Sequence, residues 1–319
     1  MTDLSSKVLQ SYQVRKTKKQ RGAFRALISE RARELGYSVR EERGSLGATN
    51  LILGEPERAK LVFTAHYDTC ARLPFPNLIT PKSMLLYILW QLVIVFGFML
   101  LPLFILEFGI GMLLGALGAD YLTVELTGSL FRLVYLFGFL FMMIAGPANK
   151  HTANDNTSGV ITLIEIMESL PEGKRDDVLF VFFDLEEAGL IGSSAFVKAH
   201  PEVKRVPLIN FDCVSDGDHI LFALTKGARS LADALAECYV GDGKKTVDVA
   251  KRGTVYPSDQ MLFTKGVGVA ALKRSRLGIL YMDRIHTSRD TVFDEENIRL
   301  LKEGSGRLVL KLCGSENKE

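Results

Sequence analysis

Histidines and carboxylates follow four predicted strands of this chain, at the point where each strand ends. Because sites in open α/β sheets form at the carboxyl ends of strands, we expect these side chains to converge on one edge. A further carboxylate, Asp155, stands just before a predicted helix that begins at Thr157. Imidazole and carboxylate groups, with no cysteine required, suit zinc and, less selectively, cobalt or manganese. The residues after the four strands are His66 and Asp68, then Asp184, Glu186 and Glu187, then Asp212, and finally Asp283 followed by His286.

The same residues predict two metal ions rather than one. Two ions about 3.5–4 Å apart need a shared carboxylate, and together they polarise a carbonyl and ionise a bridging water near neutral pH. We predict that Asp155 is this bridge. Asp68, two residues after His66, can accept the second imidazole N–H and fix the ring. Adjacent Glu186 and Glu187 cannot easily point the same way, so one can bind metal while the other moves a proton.

The order and local sequence of these residues resemble peptidase family M28, the metallopeptidases of the bacterial leucyl aminopeptidase and glutamate carboxypeptidase type. Each element is weak by itself, since an Asp before a helix is more often an N-cap. Their order along the chain makes the resemblance specific. Residues 183–193 (FDLEEAGLIGS) look most like the family's glutamate-pair motif, and its other ligand motifs resemble residues 65–69, 154–159, 210–212 and 285–291.

This resemblance implies a fold, a set of ligands and a reaction. The implied fold is α/β, a mixed and mostly parallel sheet of about eight strands between helices, as the alternation of predicted strands and helices also indicates. The implied reaction is hydrolysis of peptide bonds with two zinc ions. One ion would be held by His66 and Asp212 and the other by Glu187 and His286, with Asp155 bridging, Glu186 as general base and Asp68 in support of His66.

One stretch departs from the family pattern. The family commonly has Ser-Asp-His where this chain has Ser258, Asp259 and Gln260. The change removes no predicted ligand, but it puts substrate contacts there in doubt. Tyr256, Ser258 and Asp259 remain candidate substrate contacts, and Asp290 is predicted to brace the loop of His286.

A long apolar segment interrupts the elements that must position the site. The chain carries no charge from Ser83 to Leu106, and a second apolar stretch, Leu126 to Asn149, contains a single charge, Arg132. About 20 apolar residues cross a bilayer as a helix. We therefore predict a two-helix transmembrane hairpin at 83–147, inserted into a peptidase domain formed by 1–82 and 148–319, with the lipid bilayer as its partner.

The site itself limits how the hairpin crosses the membrane. Because His66 and Asp155 must reach the same metal, both ends of the insertion lie on one side, which requires an even number of crossings. Arg72, Lys82 and Lys150 flank the outer ends, whereas the connecting loop has no basic residue. By the positive-inside rule, the peptidase domain faces the cytoplasm of a two-pass integral membrane protein.

Other interpretations of the apolar segment stay open. It could be a soluble hairpin that serves as an oligomer interface. Gly111 and Gly115 have the spacing of small-residue contacts between membrane helices, which would suit a homo-oligomer formed through the hairpin.

Composition excludes some functions and compartments. A net charge of +2 argues against a nucleic-acid partner. The four cysteines show neither CxxC pairs nor the spacing of a disulfide scaffold, and they predict reduced thiols in an intracellular protein. The basic N-terminal region has no apolar run that would make a secretory signal, and residues 6–35 are predicted to form one long helix with a solvated basic face.

The expected activity is an exopeptidase acting on short peptides, more often an aminopeptidase by family frequency. A carboxypeptidase needs a cation for the free carboxylate, and Lys273, Arg274, Arg276 and Arg289 keep that alternative open. A glutaminyl cyclase typically uses one metal and fits less well with five ligands. A non-catalytic scaffold that binds metal is the alternative from another class, although it would not need Glu186 as an unliganded base.

Overall fold

A computed structural model of the protein describes residues 1–314 and shows a mixed, nine-stranded sheet between helices. Strands β4, β3, β5 and β8 are parallel neighbours at its centre, so the sheet is mostly parallel where the site lies. The full order is β1-β2-β4-β3-β5-β8-β6-β7, with β9 paired to β8. The strands are β1 Val39–Arg43, β2 Thr49–Leu53, β3 Leu61–His66, β4 Val178–Phe183, β5 Leu208–Phe211, β6 His219–Leu224, β7 Thr246–Ala250, β8 Gly266–Arg274 and β9 Leu280–Tyr281.

Helices cover both faces of this sheet. On one face, Phe63 and Phe180 pack into a core with side chains of α1, α2, α6, α8 and α9, and on the other, Val62 and Val181 pack against α7. Strands buried on both faces read as continuous apolar runs, as β4 does with the sequence VLFVFF. The helices are α1 Asp3–Ser11, α2 Lys18–Glu34, α3 Met84–Val93, α4 Leu101–Ala116, α5 Tyr121–Ala145, α6 Gly159–Ser169, α7 Ile191–Ala199, α8 Ala232–Cys238 and α9 Glu295–Cys313.

The N-terminal region differs from the sequence prediction. The single helix predicted for residues 6–35 is wrong, because α1 and α2 are separate and residues 12–17 form a linker between them. The basic face is also not simply solvated. Arg15 is fully buried, and Arg21, which is 7 % exposed, pairs with Asp184 at 2.9 Å. Burying a guanidinium requires such partners, and their contribution is not visible in a helical pattern.

The apolar segment forms a pair of helices. Helices α3 and α4 are joined by a π-helical stretch, Ile94–Leu100, into one rod, Met84–Ala116, and α5 returns beside it. Pro102 has no N–H to bond to Phe98, and the wider π turn just before it accommodates that gap. Both rods are long and apolar enough to cross a membrane, and most of their side chains are not buried by the protein itself.

The two segments that connect the helix pair to the α/β domain are in contact with each other. Ala71 and Ala148 form an isolated antiparallel bridge, and Arg72 N donates to Pro147 O at 2.8 Å. Just beyond it, Phe75 packs with Ile94 and Phe139 in a small apolar cluster. The chain therefore leaves and re-enters the α/β domain at adjacent points, beside His66 and Asp155.

Helix α6 begins in contact with β5, and glycine makes that contact possible. A Cβ at Gly159 would lie 2.2 Å from Phe211 O and 2.3 Å from Asn156 Oδ1. We expect Gly159→Ala to lower the free energy of unfolding by about 3 kcal/mol, since neither neighbour can move without disturbing the sheet. Chemical or thermal denaturation in detergent measures this. Gly306→Ala in α9, where a Cβ meets open space, is the matched control and should not destabilise the protein.

Candidate metal centre

Three parallel strands place the first ligands at one sheet edge. β3 ends at His66, β4 is followed by Glu186 and Glu187, and β5 is followed by Asp212. Because β3 lies between β4 and β5 and all three run the same way, these side chains meet above the carboxyl end of β3. The convergence expected from the strand ends is therefore present.

His286 reaches the same place by a different route from the one predicted. The strand predicted at 278–282 is the two-residue β9, which runs antiparallel to β8. β8 continues beyond the carboxyl end of its neighbour β5. β9 then runs back along β8, and the loop that follows β9 carries His286 to the site. The loop is fixed by Leu73 N, which donates to His286 O at 2.8 Å.

Asp155 lies between the two histidines. Its Oδ1 is 3.4 Å from His66 Nε2, and its Oδ2 is 2.9 Å from His286 Nε2. His66 Nε2 is also 3.5 Å from Asp212 Oδ1, and His286 Nε2 is 3.2 Å from Glu187 Oε2. One carboxylate thus presents an oxygen to each of two imidazole–carboxylate pairs.

The potential ligand atoms form two groups that share Asp155. His66, Asp155 and Asp212 make one group, and Asp155, Glu187 and His286 make the other, with the ligand atoms in each within 4.8 Å of one another. Glu187 Oε1 is buried and has no hydrogen-bond partner among the described residues, as expected of an oxygen reserved for a cation. The donor set of imidazole nitrogen and carboxylate oxygen fits zinc.

The second group also includes a residue that the sequence analysis did not consider. Cys70, which is 2 % exposed, places its sulfur within the same 4.8 Å limit of Asp155, Glu187 and His286. Its position two residues after Asp68 was the one sequence feature that could have indicated that Cys70 lies near the metal ligands. All four cysteines are buried and free in the structure.

Asp68 supports the site through two sets of contacts. Its main-chain O is the nearer partner of His66 Nδ1, at 3.2 Å, and its carboxylate is 3.5 Å from the same nitrogen, on the opposite side of the ring from Asp155. It also accepts hydrogen bonds from Glu186 N at 3.0 Å and Glu187 N at 3.2 Å. Asp68 therefore orients the imidazole and also fixes the turn that carries the glutamate pair.

Asp290 connects the loop of His286 to the turn of Asp155. Its backbone N donates to Thr287 O within that loop at 3.3 Å, and its two carboxylate oxygens accept from Asn154 N at 2.8 Å and Asp155 N at 3.0 Å. The predicted bracing of the His286 loop stays a prediction. Burial, followed by the charge of Asp155, raises the pKa of Asp290 to about 8. The sequence could not reveal this pairing, because the partners lie more than a hundred positions apart.

Replacing Asp290 by Asn should weaken metal binding about 10–100-fold, the usual effect of losing a group that orients a ligand. An amide cannot accept from both backbone N–H groups, so the Asp155 turn loses one of its two supports. Competition with a chromophoric zinc chelator measures the affinity. Asp233→Asn, at an exposed position on α8, should leave it unchanged. An Asp290→Asn protein with wild-type affinity would contradict this role.

The pKa values of Asp155 and Glu186 are shifted in opposite directions. Burial opposes ionisation of Asp155, but the two imidazoles lower its pKa well below the usual value. Glu186 behaves differently, because burial raises its pKa well above normal and Asp259 and Glu187 raise it further, against the opposing effect of His66. A carboxyl group that holds a proton more readily than its neighbours suits proton transfer.

Backbone strain is concentrated beside the ligands. His286 itself has φ 61°, and Leu185 and Cys213, next to Glu186 and Asp212, have φ 54° and 59°. Residues with side chains rarely adopt these values, and such strain clusters at functional sites.

Two of the strand-end carboxylates do not reach the site. Asp184 pairs with Arg21 and accepts from Thr49 N at 2.9 Å. Asp283 pairs with Lys273 and contacts Arg289. Both were possible ligands by position, and both serve as partners for basic residues instead.

The stretch that departs from the family pattern is buried behind Asp212. Tyr256 Oη donates to Asp212 O at 3.1 Å, and Ser258 and Gln260 accept from the Asn210 amide. Asp259 is fully buried. Tyr256, Ser258 and Gln260 thus support the segment of Asn210 and Asp212, whereas both carboxylate oxygens of Asp259 are buried without a hydrogen-bond partner among the described residues.

A cleft opens beside the second group. It has a volume of about 470 Å³, and its lining includes Asp68, Glu187, Lys16 and the residues 144–146 that end the second apolar helix. We refer to it below as the site cleft.

The mixed sheet and its paired histidine–carboxylate groups define an α/β protein of the metallopeptidase class. A family model described as Peptidase family M28 matches residues 141–305, more than half of the sequence. The chain therefore belongs to peptidase family M28, and the resemblance seen in its motifs is confirmed. No curated protein matches it.

Solved structures of similar fold come from aminopeptidases and glutaminyl cyclases. The LapA aminopeptidase of Legionella pneumophila is 13% identical, with a TM-score of 0.56 over 98% of this chain and 71% of that one. A glutaminyl cyclase of Porphyromonas gingivalis is 16% identical, with a TM-score of 0.56 over 97% of each chain. A Zn-dependent exopeptidase of Parabacteroides distasonis is 15% identical, with a TM-score of 0.55 over 98% and 96%. At these identities the likeness shows the fold, and the family implies zinc dependence.

Proposed function

We propose that this protein is a membrane-anchored dinuclear zinc exopeptidase that hydrolyses short peptides, with an aminopeptidase as the leading type. The observation that carries the proposal is the position of Asp155, whose two oxygens face His66 and His286 separately. A single carboxylate shared in this way is the arrangement that a pair of ions requires. His66 and Asp212 would hold one ion, and Glu187 and His286 the other.

Each residue of the site then has a defined task. When bound, the ions would polarise the scissile carbonyl and lower the pKa of the attacking water. Glu186, which belongs to neither Asp155 group, takes the proton of the attacking water and delivers it to the leaving amine nitrogen. Asp68 keeps His66 oriented and holds the backbone of Glu186 in place.

Membrane anchoring belongs to the same proposal. It is supported by the two long apolar helices, which leave large side chains such as Phe104 and Phe137 exposed. A soluble protein rarely exposes so large an apolar surface. Retention of the full chain in membranes after alkaline carbonate washing tests the anchor, and protease access to tagged termini in inverted vesicles tests the predicted cytoplasmic side.

The activity is tested with a peptide library digested by the zinc-loaded protein and read by mass spectrometry. Loss of residues from one end, abolished by a chelator and restored by zinc, is expected. The end that is shortened separates an aminopeptidase from a carboxypeptidase. Zinc binding without hydrolysis of any peptide would favour the non-catalytic scaffold.

A further inference from the structure

The site cleft contains a cation that no ligand of the metal centre neutralises. Two basic residues line the cleft, Lys16 and Arg21. Arg21 is already engaged, because it pairs with Asp184 and donates to Lys16 O at 2.6 Å. Lys16 is different, since no carboxylate among residues 1–314 lies within ion-pair distance of its Nζ.

The linker between α1 and α2 fixes Lys16 at this place. The preceding residue, Arg15, is buried, and its backbone N donates to Thr69 Oγ1 at 3.0 Å. Its guanidinium donates to Tyr67 O and to Thr157 Oγ1, which ties the linker to the end of β3 and to the start of α6. The backbone of Lys16 is therefore held beside the segments that carry His66 and Asp155.

The side chain of Lys16 crosses to the end of the second apolar helix. Its Nζ donates to Ile144 O at 2.8 Å, in the last turn of α5. That carbonyl is a neutral partner and uses one of the three ammonium donors. Lys16 is half-buried, and it shares the cleft with Asp68 and Glu187. A partly desolvated ammonium with two free donors is suited to bind an anion that enters the cleft.

We propose that Lys16 binds the free α-carboxylate of the substrate and that the preferred substrates are dipeptides. The inference rests on the proposed peptidase function and deepens it. In a dipeptide the carboxylate lies one residue beyond the scissile bond, so an ammonium in the same cleft as Glu187, one of the predicted ligands, can reach it. The four basic residues proposed from sequence for this task do not line the cleft. Lys273 is paired with Asp216 and Asp283, Arg289 contacts Asp283, and Arg274 and Arg276 are exposed.

The alternative role for Lys16 is structural. A lysine that donates to a carbonyl in the last turn of a helix caps that helix, and this could be its whole purpose. The two roles differ in what they do to substrates. A cap affects stability and acts equally on all peptides, whereas a carboxylate anchor discriminates between a peptide acid and its amide.

The test compares dipeptides with their C-terminal amides on the zinc-loaded full chain in detergent. We expect the wild type to hydrolyse the acids with a kcat/KM at least about tenfold above that of the amides. In Lys16→Met this ratio should fall to about one, through loss of activity on the acids, while activity on the amides stays unchanged. Lys16→Arg should keep most of the preference. Lys19→Met, which removes an exposed cation three residues further along, in α2, is the matched control and should keep all of it.

Binding provides a readout that needs no turnover. Calorimetry with a reduced dipeptide, whose scissile bond is CH₂–NH, should show that Lys16→Met loses affinity for the acid form and not for the amide. An equal acid-to-amide ratio in the wild type, or an unchanged ratio in Lys16→Met, would overturn the carboxylate anchor. Failure of the wild type to hydrolyse any acid or amide would instead refute the peptidase function.

Discussion

Glu186→Gln should lower kcat for peptide hydrolysis by about a thousandfold and leave the zinc content unchanged. The reason is the role proposed for Glu186, which is outside both groups that share Asp155 and lies beside them, with its carboxylate within 4.8 Å of the ligand atoms of His66 and Glu187. General-base catalysis typically contributes about 10²–10⁴-fold to a rate, and an amide of the same shape cannot accept the proton. Its backbone N–H bond to Asp68 does not depend on the side chain, so the site should keep its geometry.

The measurement pairs steady-state kinetics with zinc analysis of the same preparation. Glu303→Gln, at an exposed position of α9, is the matched control and should behave as the wild type. If Glu186→Gln lost one equivalent of zinc, Glu186 would be a ligand and the assignment of the base would be wrong. If it retained full activity, another group would have to accept the proton.

Asp155→Asn should have a second large effect of a different kind, the loss of both ions. An amide offers one uncharged oxygen in place of two charged ones, so at most one imidazole–carboxylate pair keeps a third group, and that group is a weaker ligand. We expect zinc to fall from two equivalents to less than one, and hydrolysis to fall more than about a thousandfold, because removal of the ions removes their activation of water.

Variants that each lack one predicted histidine ligand test this prediction further. His66→Ala and His286→Ala should each lose about one equivalent of zinc, whereas Asp155→Asn should lose more than either. Asp176→Asn, an exposed aspartate paired with Arg58, serves as the control. An Asp155→Asn protein that keeps two zinc ions would show that the two groups do not share a bridge.

The mostly parallel sheet and the meeting of its strand ends were predictable from the sequence. β3 ends at His66, Asp212 directly follows β5, and Glu187 lies in the turn after β4. These strands are continuous apolar runs, and parallel strands bring their carboxyl ends together regardless of detail elsewhere. The assignment of roles to these three residues stays a prediction until metal binding is measured. The division of the chain at 83 and 147 is likewise untested, although the two apolar helices lie within those limits.

What the sequence could not show depends on long-range contacts. β7 was not predicted, because Thr246–Ala250 is a short, half-exposed edge strand whose pairing with β6 decides its conformation. The break between α1 and α2 depends on the burial of Arg15 against Tyr67 and Thr157. Lys16 joins the site only once the chain is folded and no local pattern marks it, whereas Cys70 has only its position two residues after Asp68 as a signal.

The bridge between Ala71 and Ala148 has a consequence for how such a chain could be built and altered. Since the two segments of the junction already touch, the two apolar helices could be removed without changing the register of any sheet strand, provided that residues 72–83 stay, because Leu73 N donates to His286 O and Ile79 forms a bridge with Met282. The two apolar helices are then a removable insertion, which an ancestral protein could gain or lose in a single event. A protein without the two helices should fold as a water-soluble enzyme, and its site cleft should lack the side that the end of the second helix forms.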